Sequence, residues 1–344
     1  MMVGLKARNI LQINLGDNLT ITNRNALPYK HLERLGTGSS AFVEKVQNIT
    51  TGEIFAHKIF HRYHGSNLTK FKERVQNEVQ VIRRLSSHPH VIQLFATYIC
   101  GREFGMILTP VADSGDLASY LQDIADSGHP PTFEQSRILT QAFGCLASGL
   151  AFIHQQTIRH KDIKPQNILI HQGCIIYTDF GIALDASENG CTTTVGTSEA
   201  FTFRYCAPEV ANSMKRNRKS DIFSLGCIFI EIMAAMCPLI NVEPFGRLPY
   251  HKIIDDLRSI LGNAMVYYEG EAWEGLIHVC LEMFVSEREE RVSAENLVHE
   301  LHSLRSRNDH FQRTIFCDSC IEGDLPLPIK HTNAIESTGH RNGL

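Results

Sequence analysis

Between residues 160 and 181 the chain sets charged and amide side chains against short apolar runs: His160-Lys161-Asp162-Ile163-Lys164-Pro165-Gln166-Asn167, then Ile168-Leu169-Ile170, Ile175-Ile176-Tyr177 and Asp179-Phe180-Gly181. The two apolar triplets read as short strands closed by a turn. Buried strands with polar groups at their ends hold two carboxylates, a lysine and an amide on a rigid support. That layout suits a site where a hydroxyl is deprotonated and metal-bound phosphates are held nearby, because both tasks need oxygen atoms at fixed positions.

The rest of the chain supplies ample material for a core around such a site. With 344 residues, 43% of them hydrophobic and 20% charged, one large domain or two lobes is expected. A net charge of −4 and a pI near 6.5 argue against a nucleic-acid or membrane-surface partner. The ten cysteines have no regular spacing and no signal-peptide pattern opens the chain, so reduced thiols and an intracellular setting, cytoplasmic and/or nuclear, are expected. Membrane insertion is not expected: the apolar run Ile228–Ile240 contains Glu231 and is too short to cross a bilayer.

In chain order, residues 1–28 hold two alternating stretches, 11–15 and 18–22, joined by Gly16-Asp17, which predict a small hairpin or a leader with β tendency. Residues 29–35, 41–49 and 52–60 then read as an antiparallel meander. Its first turn carries Gly36-x-Gly38-x-x-Ala41-x-Val43, where the glycines let backbone N–H groups approach phosphate oxygens. By itself a glycine pair is an ordinary hairpin signal, and Lys58 in Ala56-His57-Lys58 is an ordinary solvated charge. Residues 71–85 are helical by spacing, with Val75, Val79 and Ile82 on one face and Glu78 sharing that side. A buried carboxylate needs a cation, and Lys58 is the candidate. Residues 91–98 and 103–109 read as two further strands, and residues 133–155 as a core helix.

These motifs occur in the order found in the eukaryotic protein kinases, and the chain resembles that family, serine/threonine type, over about residues 29–304. The catalytic-loop pattern H-R-D-L-x-x-x-N followed by D-F-G is matched at His160, Asp162, Asn167 and Asp179-Phe180-Gly181, and the A-P-E signature at Ala207-Pro208-Glu209. The resemblance implies an α+β, bilobal fold. A small antiparallel-β lobe with one main helix (29–109), a hinge (110–116) and a larger, mostly helical lobe (117–304) follow an N-terminal extension (1–28) and precede a flexible tail (305–344). It further implies an ATP- and Mg²⁺-dependent protein kinase acting on Ser/Thr hydroxyls of protein substrates. A pseudokinase-type nucleotide-binding scaffold is the alternative.

Carried onto this chain, the family's pattern makes Asp162 the base and puts Lys164 beside the γ-phosphate. Thr202 touches both, Lys58 reaches the α- and β-phosphates with Glu78 as its partner, and Asn167 and Asp179 ligate Mg²⁺. Gly36, Gly38, Val43, Ala56 and Leu169 would line the nucleotide, with Thr109 as gatekeeper and Val111 and Ala112 in the hinge. Asp116 has two readings, a ribose contact or the N-cap of the helix that follows. Asp221 would accept N–H bonds from the catalytic-loop backbone, and Arg291 would pair with Glu209. Lys164-Pro165 matches the serine/threonine form. The chain departs from the family at Lys161, normally arginine, at Ala41, normally the third glycine, and at Pro110 in the hinge. Thr192, Thr193, Thr194, Thr197 and Ser198 resemble an activation loop, in which an activating kinase or autophosphorylation at Thr197 or Ser198 would create a partner for Lys161. Beyond the resemblance, Cys317-Asp318-Ser319-Cys320 has metal-ligand spacing, but no second pair follows and only His310 and His331 offer themselves nearby.

Overall fold

A computed structural model describes residues 10–38, 41–60, 68–185, 203–214, 217–307 and 315–322. In the small lobe, β1 (Asn18–Ile21), β2 (Tyr29–Thr37), β3 (Ala41–Asn48), β4 (Ile54–Phe60), β5 (Gln93–Cys100) and β6 (Glu103–Thr109) form one sheet in the order β1-β5-β6-β4-β3-β2. Side chains alternate across it as period-two geometry requires. Ala56 and Phe60 face a core shared with helix α1 (Leu68–Leu85), which contributes Val75, Val79 and Ile82. Phe55 faces the other way, into a second cluster with Val46, Ala96, Tyr98 and Ile107. Lys58 therefore lies on the α1 side, where its charge needs a partner. One glycine in this sheet has no substitute: a Cβ on Gly105 would lie 2.1 Å from the Tyr98 ring, its cross-strand neighbour.

The N-terminal segment departs from the expected hairpin. β1 pairs in parallel with β5, Asn18 opposite Thr97, and residues 11–14 form no strand. Edge hydrogen bonds decide this: Gly16 N donates to Phe95 O at 2.7 Å, Thr97 N to Asp17 O at 2.9 Å, and Thr97 Oγ1 to Asn18 Oδ1 at 2.6 Å. Ile13, Ile21 and Leu27 are buried in the second cluster, so residues 10–27 complete one edge and one face of the small lobe.

The large lobe is built on α2 (Leu117–Ser127), α3 (Phe133–Gln155), α5 (Lys219–Met236), α6 (Ile254–Tyr267), α7 (Ala272–Met283) and α8 (Ala294–Arg307), with the short helix α4 (Pro208–Ala211) between α3 and α5. α3 starts at a reciprocal cap between Thr132 and Gln135 and carries the central apolar face of the lobe, including Leu139, Phe143, Leu146 and Leu150. It is long and apolar enough to cross a membrane, and most of its apolar side chains are spent in this core. β7 (Ile158–Arg159), β8 (Ile168–His171), β9 (Cys174–Tyr177) and β10 (Leu184–Asp185) form two small two-stranded sheets around the loop that follows α3. Behind them the lobes are tied through the backbone, Tyr177 N donating to His90 O and Ile92 N to Tyr177 O, both at 2.9 Å. The Thr109-Pro110 bond at the hinge is cis.

The expectation of a flexible tail fails at residues 315–322. Ile315 and Phe316 are buried, Phe316 stacks on His302 at 4.1 Å between ring centroids, and helix α9 (Asp318–Glu322) packs on α3. Gly144 in α3 makes this possible, because a Cβ there would stand 2.5 Å from both Ile315 O and the Phe316 ring. Two large apolar side chains supply the burial that a tail of mostly polar composition was expected to lack.

Candidate active site

Strand register assembles the upper half of the site. Gly36 lies opposite Val43, Val43 opposite Lys58, and Lys58 opposite Met106, so the glycine turn, the lysine and the strand leading to Thr109 form one row across the sheet. Ala56, two residues before Lys58, sits on the same face opposite Leu108. Beneath the row α1 presents Glu78, 3% exposed, and Lys58 Nζ stands 2.6 Å from its Oε1 and 2.9 Å from Asp179 Oδ1. Burial works against the Lys58 ammonium, but the two carboxylates outweigh it and raise its pKa, keeping it charged. The Lys58 charge in turn holds the Asp179 carboxyl down at about 2.

The lower half comes from the loop after α3. Asp221, buried at the start of α5, accepts from His160 N at 3.0 Å and Lys161 N at 3.0 Å, and its Oδ2 lies 3.0 Å from His154 Nε2. These bonds offset its burial and lower its pKa, so a fixed anion anchors the loop from below. Lys161 takes a left-handed conformation, φ 69°, and so does Asp179, φ 60°. Such backbone is uncommon for residues other than glycine and is held here by its surroundings. Within the loop Lys164 Nζ reaches Asp162 Oδ2 at 2.7 Å, while Asn167 Nδ2 donates to Asp162 O at 2.8 Å and Asp162 Oδ2 at 3.0 Å. Phe180 is fully buried with its ring 4.7 Å from that of His160, which turns Asp179 toward Lys58. A Cβ on Gly181 would come within 3.3 Å of both Asp179 Oδ1 and Glu78 Oε2.

Asp162, Lys164, Asn167, Asp179, Lys58 and Glu78 are thus brought together. Gly36, Val43 and Ala56 lie on the facing sheet, and Gly38 closes the turn, its N donating to Ala41 O at 2.8 Å. Thr109 ends β6, and Val111 and Ala112 follow in the half-buried connection to α2. Leu169 in β8 bridges to Asp116, so the hinge and the catalytic loop share a backbone contact. Of the two readings of Asp116, the cap is formed: its carboxylate accepts from Ser119 N at 3.0 Å. Thr202 and residues 192–198 lie outside the described residues, as do His310 and His331. Glu209 and Arg291 meet in a buried two-bond pair, both distances 2.8 Å, at the far end of the segment.

Two participants were not found by sequence reasoning. His154 joins the anion below the loop, and Asn77 Nδ2 donates to Ala183 O at 3.0 Å, tying α1 to the segment after Asp179-Phe180-Gly181. A polar residue beside the inner stripe of a core helix was the available signal for His154. Asn77 gave none.

Three carboxylates, an amide and two ammonium groups converge below a glycine-bearing turn, an arrangement that defines a phosphotransferase of the bilobal protein-kinase class. A family model for the protein kinase domain matches residues 29–302, and the chain belongs to the eukaryotic serine/threonine protein kinase superfamily. It is 32% identical over 215 residues to the MAP kinase kinase kinase wis4 of Schizosaccharomyces pombe, covering 59% of this chain and 15% of that one. It is 30% identical over 170 residues to the serine/threonine-protein kinase nekl-2 of Caenorhabditis elegans, 48% and 45% of the two chains. With the human serine/threonine-protein kinase Nek2 the identity is 29% over 254 residues, 68% of this chain and 54% of that one. The aligned region thus spans about half or less of each of these relatives.

Proposed function

We propose that the chain is an active protein kinase that transfers the γ-phosphoryl group of Mg²⁺-ATP to serine and threonine hydroxyls of protein substrates. The observation that carries this is the joined pair of triads: Lys58 bound to both Glu78 and Asp179, and Asp162 bound to both Lys164 and Asn167. The donor set suits Mg²⁺. Asp179 offers carboxylate oxygen, and Asn167, whose Nδ2 is committed to Asp162, has its Oδ1 left for a hard cation. When bound, the ion neutralises phosphate charge and fixes the γ-phosphoryl group for in-line displacement.

This chain's residues do the rest. Asp162 orients the acceptor hydroxyl and takes its proton as the new oxygen–phosphorus bond forms and the bond to ADP breaks. Lys164 places a positive charge beside the moving phosphoryl oxygens, and Lys58 holds the α- and β-phosphates. Gly36, Gly38, Val43, Ala56, Leu169 and the hinge residues Val111 and Ala112 line the nucleotide, with Thr109 as gatekeeper. Asp116 caps α2 through Ser119, and its carboxylate would in addition accept from the ribose hydroxyls. The preference for serine and threonine rests on Lys164-Pro165 and on the names of the relatives. Phosphorylation at Thr197 or Ser198, by an activating kinase or the chain itself, then adds a phosphate for Lys161 to meet, and the protein works inside the cell.

The test is incubation of the chain with Mg²⁺-ATP and a degenerate peptide library, beside an Asp162→Asn control. Phosphoserine and phosphothreonine that the control abolishes support the enzyme. Nucleotide binding without transfer supports the scaffold.

A further inference from the structure

Remote from the phosphate site, on the back of α3, four side chains separated by up to 230 residues converge. The imidazole of His90 and the thiols of Cys145, Cys317 and Cys320 place their ligand atoms within 4.8 Å of one another. His90 Nε2 is 3.0 Å from Cys320 Sγ and 3.3 Å from Cys317 Sγ. A tetrahedral zinc site with Zn–S near 2.3 Å and Zn–N near 2.0 Å has ligand-to-ligand edges of about 3.5–3.8 Å. The two nitrogen–sulfur distances fall a few tenths of an ångström short of that range, which small side-chain rotations of His90, Cys317 and Cys320 make up. His90, Cys145 and Cys320 are buried and Cys317 is half-buried, so the group is closed to solvent on most sides, as structural sites are.

The surroundings are built in the same sense. His90 Nδ1 lies 2.7 Å from Ile175 O, which fixes the tautomer with the proton on Nδ1 and turns the Nε2 lone pair toward the sulfurs. The Cys317 backbone N–H points at Cys145 Sγ at 3.4 Å, a donor placed to stabilise a thiolate. Cys317 and Cys320 are the C-x-x-C pair, wrapped around the start of α9. The second pair is absent from the neighbouring sequence because it comes from α3 and from the loop ahead of β5. The kinase-domain match ends at residue 302, so half of the ligand set lies beyond the family domain.

We propose that His90, Cys145, Cys317 and Cys320 form a structural zinc site, three thiolates and one imidazole, that staples residues 315–322 to α3 and to the loop between α1 and β5. Binding releases three thiol protons to solvent and involves no change of oxidation state. The staple joins the loop ahead of β5, in the small lobe, to α3 in the large lobe. The site stands independently of catalysis, and its test reads metal rather than activity.

The full chain is purified with a reductant and without chelators, and its metal is counted by mass spectrometry. The expected result is a single zinc per chain, retained in Cys174→Ser, whose exposed thiol lies outside the cluster, and lost in the Cys317→Ser, Cys320→Ser double variant. After chelation, hydrogen exchange at residues 315–322 should rise and fall again on adding Zn²⁺. Co²⁺ added to the stripped wild-type chain should give the intense visible bands and thiolate charge-transfer absorption of a tetrahedral site. That spectrum decides the matter even where the double variant fails to fold. A wild-type chain that takes up neither ion, or gives only the pale spectrum of oxygen-ligated cobalt, overturns the proposal. So does a Cys317–Cys320 or Cys145–Cys317 disulfide in the freshly purified protein, seen as a mass lower by two hydrogens, or full zinc content in the double variant.

Discussion

Replacing Arg291 by alanine should be among the most destabilising single changes in the large lobe. The guanidinium is fully buried and makes five bonds: two of 2.8 Å to Glu209, and others to Val285 O at 2.7 Å, Ser286 O at 2.9 Å and Lys219 O at 3.2 Å. Its loss leaves the Glu209 carboxylate, 3% exposed, with the Ser220 hydroxyl as its remaining side-chain donor among the described residues. Breaking one partner out of a buried ion pair costs about 3–5 kcal/mol, because an uncompensated charge stays behind. At about 1.4 kcal/mol per decade this lowers the folded-to-unfolded ratio by roughly two to three and a half powers of ten. Urea denaturation of wild type, Arg291→Ala and the double variant Glu209→Leu, Arg291→Met measures it, since the apolar pair removes both charges and should recover most of the loss. Acid adds a check on sign. Burial acts to raise the Glu209 carboxyl, but the bonds from Arg291 and Ser220 outweigh it and hold it below the ordinary range. The pair's contribution is therefore present above the unfolded pKa of about 4.3 and lost as pH falls through the folded value, so the wild-type and Arg291→Ala curves should converge in acid. A single variant within about 1 kcal/mol of wild type, or a double variant no better than the single, would refute this reasoning.

Lys58→Met removes the cation between Glu78 and Asp179 and should lower kcat by roughly 10²-fold or more, read by peptide phosphorylation, while circular dichroism stays native. Asp221→Asn can no longer accept from both His160 N and Lys161 N, and should cost about 1–3 kcal/mol and reduce kcat more than it raises KM. Gly144→Ala drives a methyl group into Ile315 and Phe316 and should cost about 1–3 kcal/mol, with proteolysis beginning at residues 315–322. His57 is buried between strands with its pKa lowered to about 3, chiefly by burial and then by Arg24, against 6.5 unfolded. Its contribution is present above pH 6.5 and drains away as pH falls toward 3, by at most on the order of 5 kcal/mol, and His57→Gln should flatten that part of the stability curve.

The catalytic loop could be read from the sequence because its chemistry is local. Asp162, Lys164 and Asn167 lie within six consecutive residues, and their hydrogen bonds to one another follow from that spacing. The Lys58–Glu78 pair was legible because a carboxylate on a buried face demands a cation, and the Glu209–Arg291 pair because both residues stand in motifs of the family that the chain resembles. The N-terminal strand was misread: alternation in 18–22 identifies a strand but not its partner, and the partner proved to be the edge of β5 rather than residues 11–15. For Asp116 the sequence left a cap and a ribose contact equally open, and only the bond to Ser119 N shows that the cap is made. The full cysteine cluster was out of reach. Cys317-x-x-Cys320 announced half a site, but nothing in a linear sequence connects it to His90 and Cys145, which reach it through the packing of α3 and the approach that Gly144 permits.

If the assembled site transfers phosphate with Asp162 as base, removing that carboxylate must all but abolish transfer and spare nucleotide binding. Single-turnover transfer from Mg²⁺-ATP to a serine peptide, measured for wild type and Asp162→Asn beside calorimetric nucleotide affinity, tests it most directly. Affinities should agree within about threefold, and the transfer rate should be lower by roughly 10²–10⁴ in the variant. Nucleotide bound by both proteins and phosphate transferred by neither, or equally by both, would contradict it.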